Sequence, residues 1–248
     1  ATGDVAGAAG AGLLAVAAQL KDVHAFGVAR IDEALMLRAG GIVKPIVLLE
    51  GFFHADELSQ IVASNLQVVV HHPAQVEALV KAELESPIHV WLKIDSGMHR
   101  LGVEPADFKE IYQKLCQSKN VLQPMRLMTH FACADEKDNP ATARQLALFR
   151  QTIGDAAGEL SIANSAGVVG WPQSHGDWVR PGLALYGVSP MDKGRSAAHA
   201  LRPVMTFSSS VIAVRQVRQG DAVGYGASWV APKDTRLAVV AIGYGDGY

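Results

Sequence analysis

The chain has 248 residues, 49% apolar and 19% charged, a balance that suits a folded core and excludes a disordered chain. Its 22 Lys and Arg stand against 24 Asp and Glu, and no basic cluster stands out, which argues against a nucleic-acid partner. Cys116 and Cys133 form no CxxC pair, so a disulfide scaffold and a zinc knuckle are excluded and a reducing compartment is expected.

The chain start, ATGDVAGAAGAGLLAVAAQL, is rich in Ala and Gly. Asp4 stands where a signal peptide carries its basic segment, so the stretch reads as a low-complexity end or the remains of a truncated element. No apolar run reaches the ~18 residues that span a bilayer. From residue 24 onward, strand and helix signals alternate. HAFGVAR (24–30) precedes a helical stretch with Ile31, Ala34, Leu35 and Arg38 in phase, stopped by Gly40-Gly41. PIVLLEG (45–51) precedes HADELSQIVAS, with Leu58, Ile61 and Val62 on one face. QVVVH (67–71) leads to Pro73 at a helix start, and HVWLKID (89–95) to a helix opened by Pro105. RLMTHF (126–131), a helix over 141–153, ELSIANS (159–165) and WVRPGLALYG (178–187) complete the series.

These strands are short continuous apolar runs, as expected of parallel strands buried on both faces. Seven are legible by residue 187. A (β/α)8 TIM barrel has eight and occupies ~250 residues, and no GxGxxG supports an open doubly wound sheet. The expectation is a barrel over 1–195 whose first strand is missing or disordered. Beyond it, 203–217 alternates, 219–229 is rich in turn residues and 235–248 reads as another strand. A partial, mainly antiparallel β domain is therefore expected over 196–248.

Catalytic groups of such a barrel sit at the C-terminal strand ends. Those ends supply Lys93, Asp95, Arg100, His130, Asn164, Ser165, Arg180 and Gly182. The loops after the last two strands carry small residues that let backbone N–H groups approach a phosphate, with plain turns as the alternative. A structural salt bridge is the alternative for Arg180, a satisfied core histidine for His130, and a charged helix entry for Lys93 with Asp95 and Arg100. His71, His72 and His175 lack metal-ligand spacing, so no metal is assigned.

HAFGVARIDEALMLRAGGI, PIVLLEGFF, VWLKIDSGMHRLG, THFACADE, WPQSHGDWVRPGLALYGVSP, VGYGASW and VVAIGYGDGY together resemble the alanine racemase family, over roughly residues 20 to 248. The resemblance implies a homodimeric, cytoplasmic isomerase that interconverts L- and D-alanine for D-alanine metabolism or peptidoglycan. It implies pyridoxal 5′-phosphate (PLP), a Schiff base with the substrate, and a two-base mechanism using a Lys and a Tyr. By position it implies that Arg180 contacts the pyridine nitrogen, that Ser165 and the backbone of Gly182 and Leu183 hold the phosphate, that Asn164 also binds the cofactor, and that His130 hydrogen-bonds near Arg180. Arg100 would sit by the phenolic oxygen and the substrate carboxylate, supported by Lys93, which is carbamylated in many relatives. Asp135 would lie along the substrate entrance, and Tyr244 would act as a base on the partner's barrel. The resemblance also implies that the sequence is incomplete at both ends. The family's Schiff-base lysine lies on the first strand, where this chain reads VAGAAGAGLL. Non-catalytic PLP binding, an inactive remnant and a broader-specificity racemase are the other readings.

Overall fold

A computed structural model of the chain describes residues 3–7, 22–191, 201–204, 206–243 and 245, with side chains for all but 3–7. The chain divides into two compact units, 1–204 and 205–248. The expected boundary at 195/196 lies outside the described residues.

The first unit is a closed barrel of eight parallel strands in sequential order. They are β1 (Gly3–Gly7), β2 (Ala25–Val28), β3 (Ile46–Leu48), β4 (Leu66–Val70), β5 (Val90–Lys93), β6 (Arg126–Met128), β7 (Leu160–Asn164) and β8 (Trp178–Arg180). The missing first strand is thus corrected: Gly3–Gly7 fills its place, pairing with β2 from Val5↔Ala25 to Gly7↔Gly27 and with β8 at Gly3↔Trp178 and Asp4↔Val179. GDVAG carries little intrinsic strand signal. The facing ladders of β2 and β8 supply backbone partners that recruit it, and closure leaves no edge.

Alternation sorts the strand side chains into two sets. Ala25, Val47, Val69, Trp91 and Met128 form a small buried cluster, with Leu49 and Trp178 against it, inside the barrel. Their neighbours Phe26, Ile46, Leu48, Val68, Val70, Val90, Leu92 and Leu127 join the larger core beneath the helices. Among the described residues the helices are α1 (Ile31–Ala39), α2 (Glu57–Ala63), α3 (Pro73–Lys81), α4 (Phe108–Cys116), α5 (Ala141–Ile153) and the short α6 (Ser165–Gly170). Local chemistry sets their ends. Glu33 Oε2 accepts the backbone N–H groups of Ala29 and Arg30 at 2.8 and 2.9 Å ahead of α1. His72 Nδ1 accepts from Ala74 N at the start of α3, where Pro73 occupies the first helical position. The helix anticipated from Pro105 starts only at Phe108, after a turn, and buries Phe108, Ile111 and Leu115. Pro181 ends β8, and a 3₁₀ turn over Leu183–Tyr186 follows. Gly187 closes that turn at φ +76°, where a side chain would run into the Arg202 carbonyl.

Among its described residues, the second unit holds two antiparallel pairs. β9 (Val211–Val217) pairs with β12 (Thr235–Val240), and β10 (Ala222–Val223) with β11 (Trp229–Val230). Of the described residues in the alternating stretch 203–217, those from 211 onward form a strand.

The core explains which single change is costly. Phe149 of α5 is fully buried in the larger cluster. Phe149→Ala should destabilise the barrel by ~3–5 kcal/mol through lost transfer energy and a residual cavity. Guanidinium unfolding of the parent and the variant measures this.

Candidate active site at the C-terminal end of the barrel

Parallel strands point their C-terminal ends the same way, so the residues that close each strand converge at one mouth. There Lys93, Arg100, His130, Arg180 and Gly182 line a cavity of about 540 Å³ together with Ala29, Leu49, Glu50, Leu101 and Met128. A second cavity of about 320 Å³ shares His130, Arg180 and Gly182 and adds Asp135, Asn164, Ser165 and Leu183. Nine of the eleven residues singled out from the sequence therefore meet at one end of the barrel, while Asp95 lies in the loop after β5 and lines neither cavity. The eleventh, Tyr244, lies outside the described residues.

Arg180 is the centre of the arrangement. It is buried, and its guanidinium donates only to neutral acceptors. Nη1 donates to Ser161 Oγ at 2.6 Å, and Nη2 to the Thr129 carbonyl at 2.6 Å, the Ile162 carbonyl at 3.4 Å and His130 Nδ1 at 3.2 Å. Among the described residues it makes no salt bridge, so the structural ion pair weighed from the sequence is absent there. Burial lowers its pKa to about 10, which leaves it protonated at neutral pH. Its charge remains available to a ligand.

The contact with His130 settles a tautomer. A guanidinium can only donate, so Nδ1 of His130 is the unprotonated nitrogen and Nε2 carries the hydrogen. Burial, and then the nearby Arg180, Lys93 and Arg100, press the imidazole pKa down to about 3. His130 is a neutral dipole there, not a cation.

Lys93 ends β5, is buried, and lies under the same influences. Burial first, then Arg180 and Arg100, lower its pKa to about 8, against opposition from Asp95 and Glu50. A sizeable fraction of its amine is neutral slightly above neutral pH, so it is nucleophilic there. The loop that follows carries Arg100. Its ends meet, with Val103 N donating to the Lys93 carbonyl at 2.8 Å and Asp95 N to the Val103 carbonyl at 3.0 Å. Asp95 Oδ1 gathers the N–H groups of Gly97, Met98 and His99 at 2.9, 3.0 and 3.1 Å. Burial pushes the Asp95 carboxyl up, but these donors outweigh it and hold it below its usual value. Gly102, at φ +145°, passes too close to the Asp95 backbone to admit any side chain. Asp95 thus shapes the loop that presents Arg100 to the cavity.

On the far side, Ser165 Oγ accepts the backbone N–H groups of Gly182 at 2.8 Å and Ala184 at 3.2 Å. Asn164 Oδ1 caps α6 through Gly167 N at 2.9 Å, and its Nδ2 donates to the Phe131 carbonyl at 3.3 Å. The chain end of β7 and the turn after β8 thereby bring N–H groups and a hydroxyl together beside Arg180. Lys93, Arg100 and Arg180 face Glu50 as the one carboxylate lining the larger cavity among the described residues, so the mouth suits an anionic ligand. Ser161, the Thr129 carbonyl and Glu50 were not singled out from the sequence. Ser161 had a signal, a hydroxyl two places beyond Glu159 in an otherwise apolar strand. A carbonyl has none.

The depressed His130 pKa makes stability depend on pH. Below an ordinary pKa of ~6.5 the unfolded chain takes up a proton that the native chain refuses until about 3. Stability should therefore fall as pH drops through that window, with His130 contributing up to ~1.4 kcal/mol per pH unit. Denaturation midpoints at pH 7 and pH 5 should show a shallower loss for His130→Gln than for the parent.

The geometry agrees with relationships of the whole chain. The alanine racemase N-terminal domain matches residues 6–190, and the alanine racemase C-terminal domain matches residues 204–248. An alanine racemase of Yersinia pestis is 54% identical over 243 residues, which is 98% of this chain and 68% of that protein. The crystal structure of biosynthetic alanine racemase from Pseudomonas aeruginosa superposes with a TM-score of 0.90 at 38% identity, covering 100% of this chain and 70% of that one. Alanine racemase from Bartonella henselae, described with covalently bound pyridoxal phosphate, superposes with a TM-score of 0.79 at 25% identity, covering 99% of this chain and 70% of that one. By sequence and by fold, the chain belongs to the alanine racemase family.

Proposed function

We propose that this chain interconverts L- and D-alanine as a PLP-dependent amino-acid racemase. The observation that carries the reading is Arg180, a buried cation held only by neutral acceptors between a neutral histidine and a cluster of N–H and hydroxyl groups. The donor set fits pyridoxal phosphate: Ser165, Gly182 and Leu183, with Asn164 holding the start of α6, would hold its phosphate, and Arg180 would face its ring nitrogen. The fit concerns these contacts. β1 reads Gly-Asp-Val-Ala-Gly, so it brings no lysine for covalent attachment.

When bound, PLP supplies an electron sink for negative charge at the substrate α-carbon. The residues of the chain set how that sink behaves. Arg180 does not surrender its proton at working pH, so a nitrogen facing it accepts a hydrogen bond and stays unprotonated. That weakens the sink and limits leakage into transamination. His130 Nδ1 fixes the guanidinium, and its Nε2–H is left to orient a catalytic group. Arg100 binds the substrate carboxylate. Lys93, whose amine is partly neutral, supports Arg100, and carbamylation would turn it from a cation into an anion. Asp135 lies along the entrance, and Tyr244 exchanges a proton with the α-carbon in the partner's barrel of a homodimer. A Tyr is a poor base in water, so nearby cations must lower its barrier. Supply of D-alanine for peptidoglycan in the cytoplasm is the role that fits this chemistry. Among the described residues, no helix is long and apolar enough to cross a membrane.

The test is exchange of the alanine α-proton with deuterated solvent, together with appearance of the opposite enantiomer, in the full-length enzyme. Exchange from both enantiomers is expected. Arg180→Glu should slow racemisation by about a hundredfold or more and produce 2-oxo acid. Unchanged rates without oxo acid would remove Arg180 from this role. Ser165→Ala should weaken PLP binding by roughly tenfold, the loss of one charge-assisted hydrogen bond, read from cofactor absorbance on dilution.

A further inference from the structure

At the opposite, N-terminal end of the barrel, five side chains close a ring. The Arg126 guanidinium carbon lies 4.9 Å from the ring centre of Trp91 and 4.9 Å from that of Trp178, and the two indoles meet edge-on at 5.5 Å. Arg126 Nε donates to Glu159 Oε2 at 2.7 Å, and Nη1 to Gln67 Oε1 at 3.1 Å. The indole N–H groups go to the same two acceptors: Trp91 to Gln67 Oε1 at 2.8 Å and Trp178 to Glu159 Oε2 at 2.8 Å. Each acceptor joins one indole to the guanidinium, so the ring has Arg126 as its common member.

The strands it ties are those that carry the site. Gln67 lies on β4, Trp91 on β5, Arg126 on β6, Glu159 just before β7 and Trp178 on β8. Strand side chains of one face recur every second residue. The inward series therefore run from Gln67 to His71, from Trp91 to Lys93, from Arg126 through Met128 to His130, from Glu159 to Ser161, and from Trp178 to Arg180. Ser161 is the acceptor of Arg180 Nη1. Axial slip at the base would displace every group at the mouth by the same amount, because an extended strand transmits it at ~3.3 Å per residue.

We propose that Arg126 is a positioning residue: its packing against Trp91 and Trp178, with the hydrogen bonds to Gln67 and Glu159, sets the axial register of β4 to β8, and with it the contact between Arg180 and His130. The kinetic part of the test rests on the racemase reading, and the spectroscopic part does not. In the full-length enzyme, Arg126→Met removes the charge and the planar donor fork at similar length, and Arg126→Lys keeps the charge. With ¹⁵N-labelled histidine, His130 Nδ1 reports whether it accepts a hydrogen bond. In Arg126→Met its resonance should move toward that of an unbonded imidazole, and in Arg126→Lys by less. Well below the unfolding temperature, kcat should fall between about tenfold and a hundredfold, the scale of an ångström of misplacement, with little change in KM. Should Arg126→Met fail to fold, Trp178→Phe removes one indole donor and the same resonances are read. His130 resonances unchanged in the folded variants, or full kcat with only Tm lowered, would overturn the proposal. A parent enzyme without racemase activity but with the His130 shift in Arg126→Met would sink the functional reading and leave the positioning role standing.

Discussion

A buried guanidinium without a carboxylate is the constraint around which this barrel is organised. Taking an arginine out of water is costly unless its donors are met. At Arg180 they are met by a serine hydroxyl, two strand carbonyls and one imidazole nitrogen, none of them charged. Those acceptors come from β7 and from the two residues that follow β6. The barrel has to deliver them together, and the positive charge they leave uncancelled makes the mouth receptive to an anion.

That charge reaches its neighbours through a dry interior. His130 is kept neutral, and the Lys93 amine is brought into a range where it exchanges its proton near working pH. Two groups of ordinary basicity in water thus acquire distinct roles from their own burial first and from the neighbouring cations second. The Asp95 loop works in the opposite sense. It spends a carboxylate on three backbone N–H groups to hold its shape, so Arg100 stands at the cavity without losing its charge to that neighbour.

The same strands run from a cation packed against two indoles at the base to a cation among neutral acceptors at the mouth. Between them the barrel is filled by a thin apolar layer of Ala25, Val47, Val69 and Met128. This layer keeps the two charges apart in low dielectric. It also accounts for strands that read as plain apolar runs while placing one polar side chain at each end.

Much of this was legible in the sequence. The alternation of short β-branched runs with helical stripes implied a parallel sheet under helices, because burial on both faces demands it. WVRP and ANS announced the site, since a charge or small polar group that ends an apolar strand has little structural reason to be there. The first strand was not legible. Gly and Ala in GDVAG carry almost no preference, and only the unpaired ladders of β2 and β8 make that stretch a strand. Nor were the partners of Arg180 legible: Ser161 lies 19 residues away and Thr129 lies 51 away, the latter contributing only a carbonyl that every residue has. Composition and periodicity determined that the strand side chains are buried, because a continuous apolar run leaves neither face of a strand to water. Which of them touch depended on how far each strand slides past its neighbour, and that register is settled only when the barrel closes.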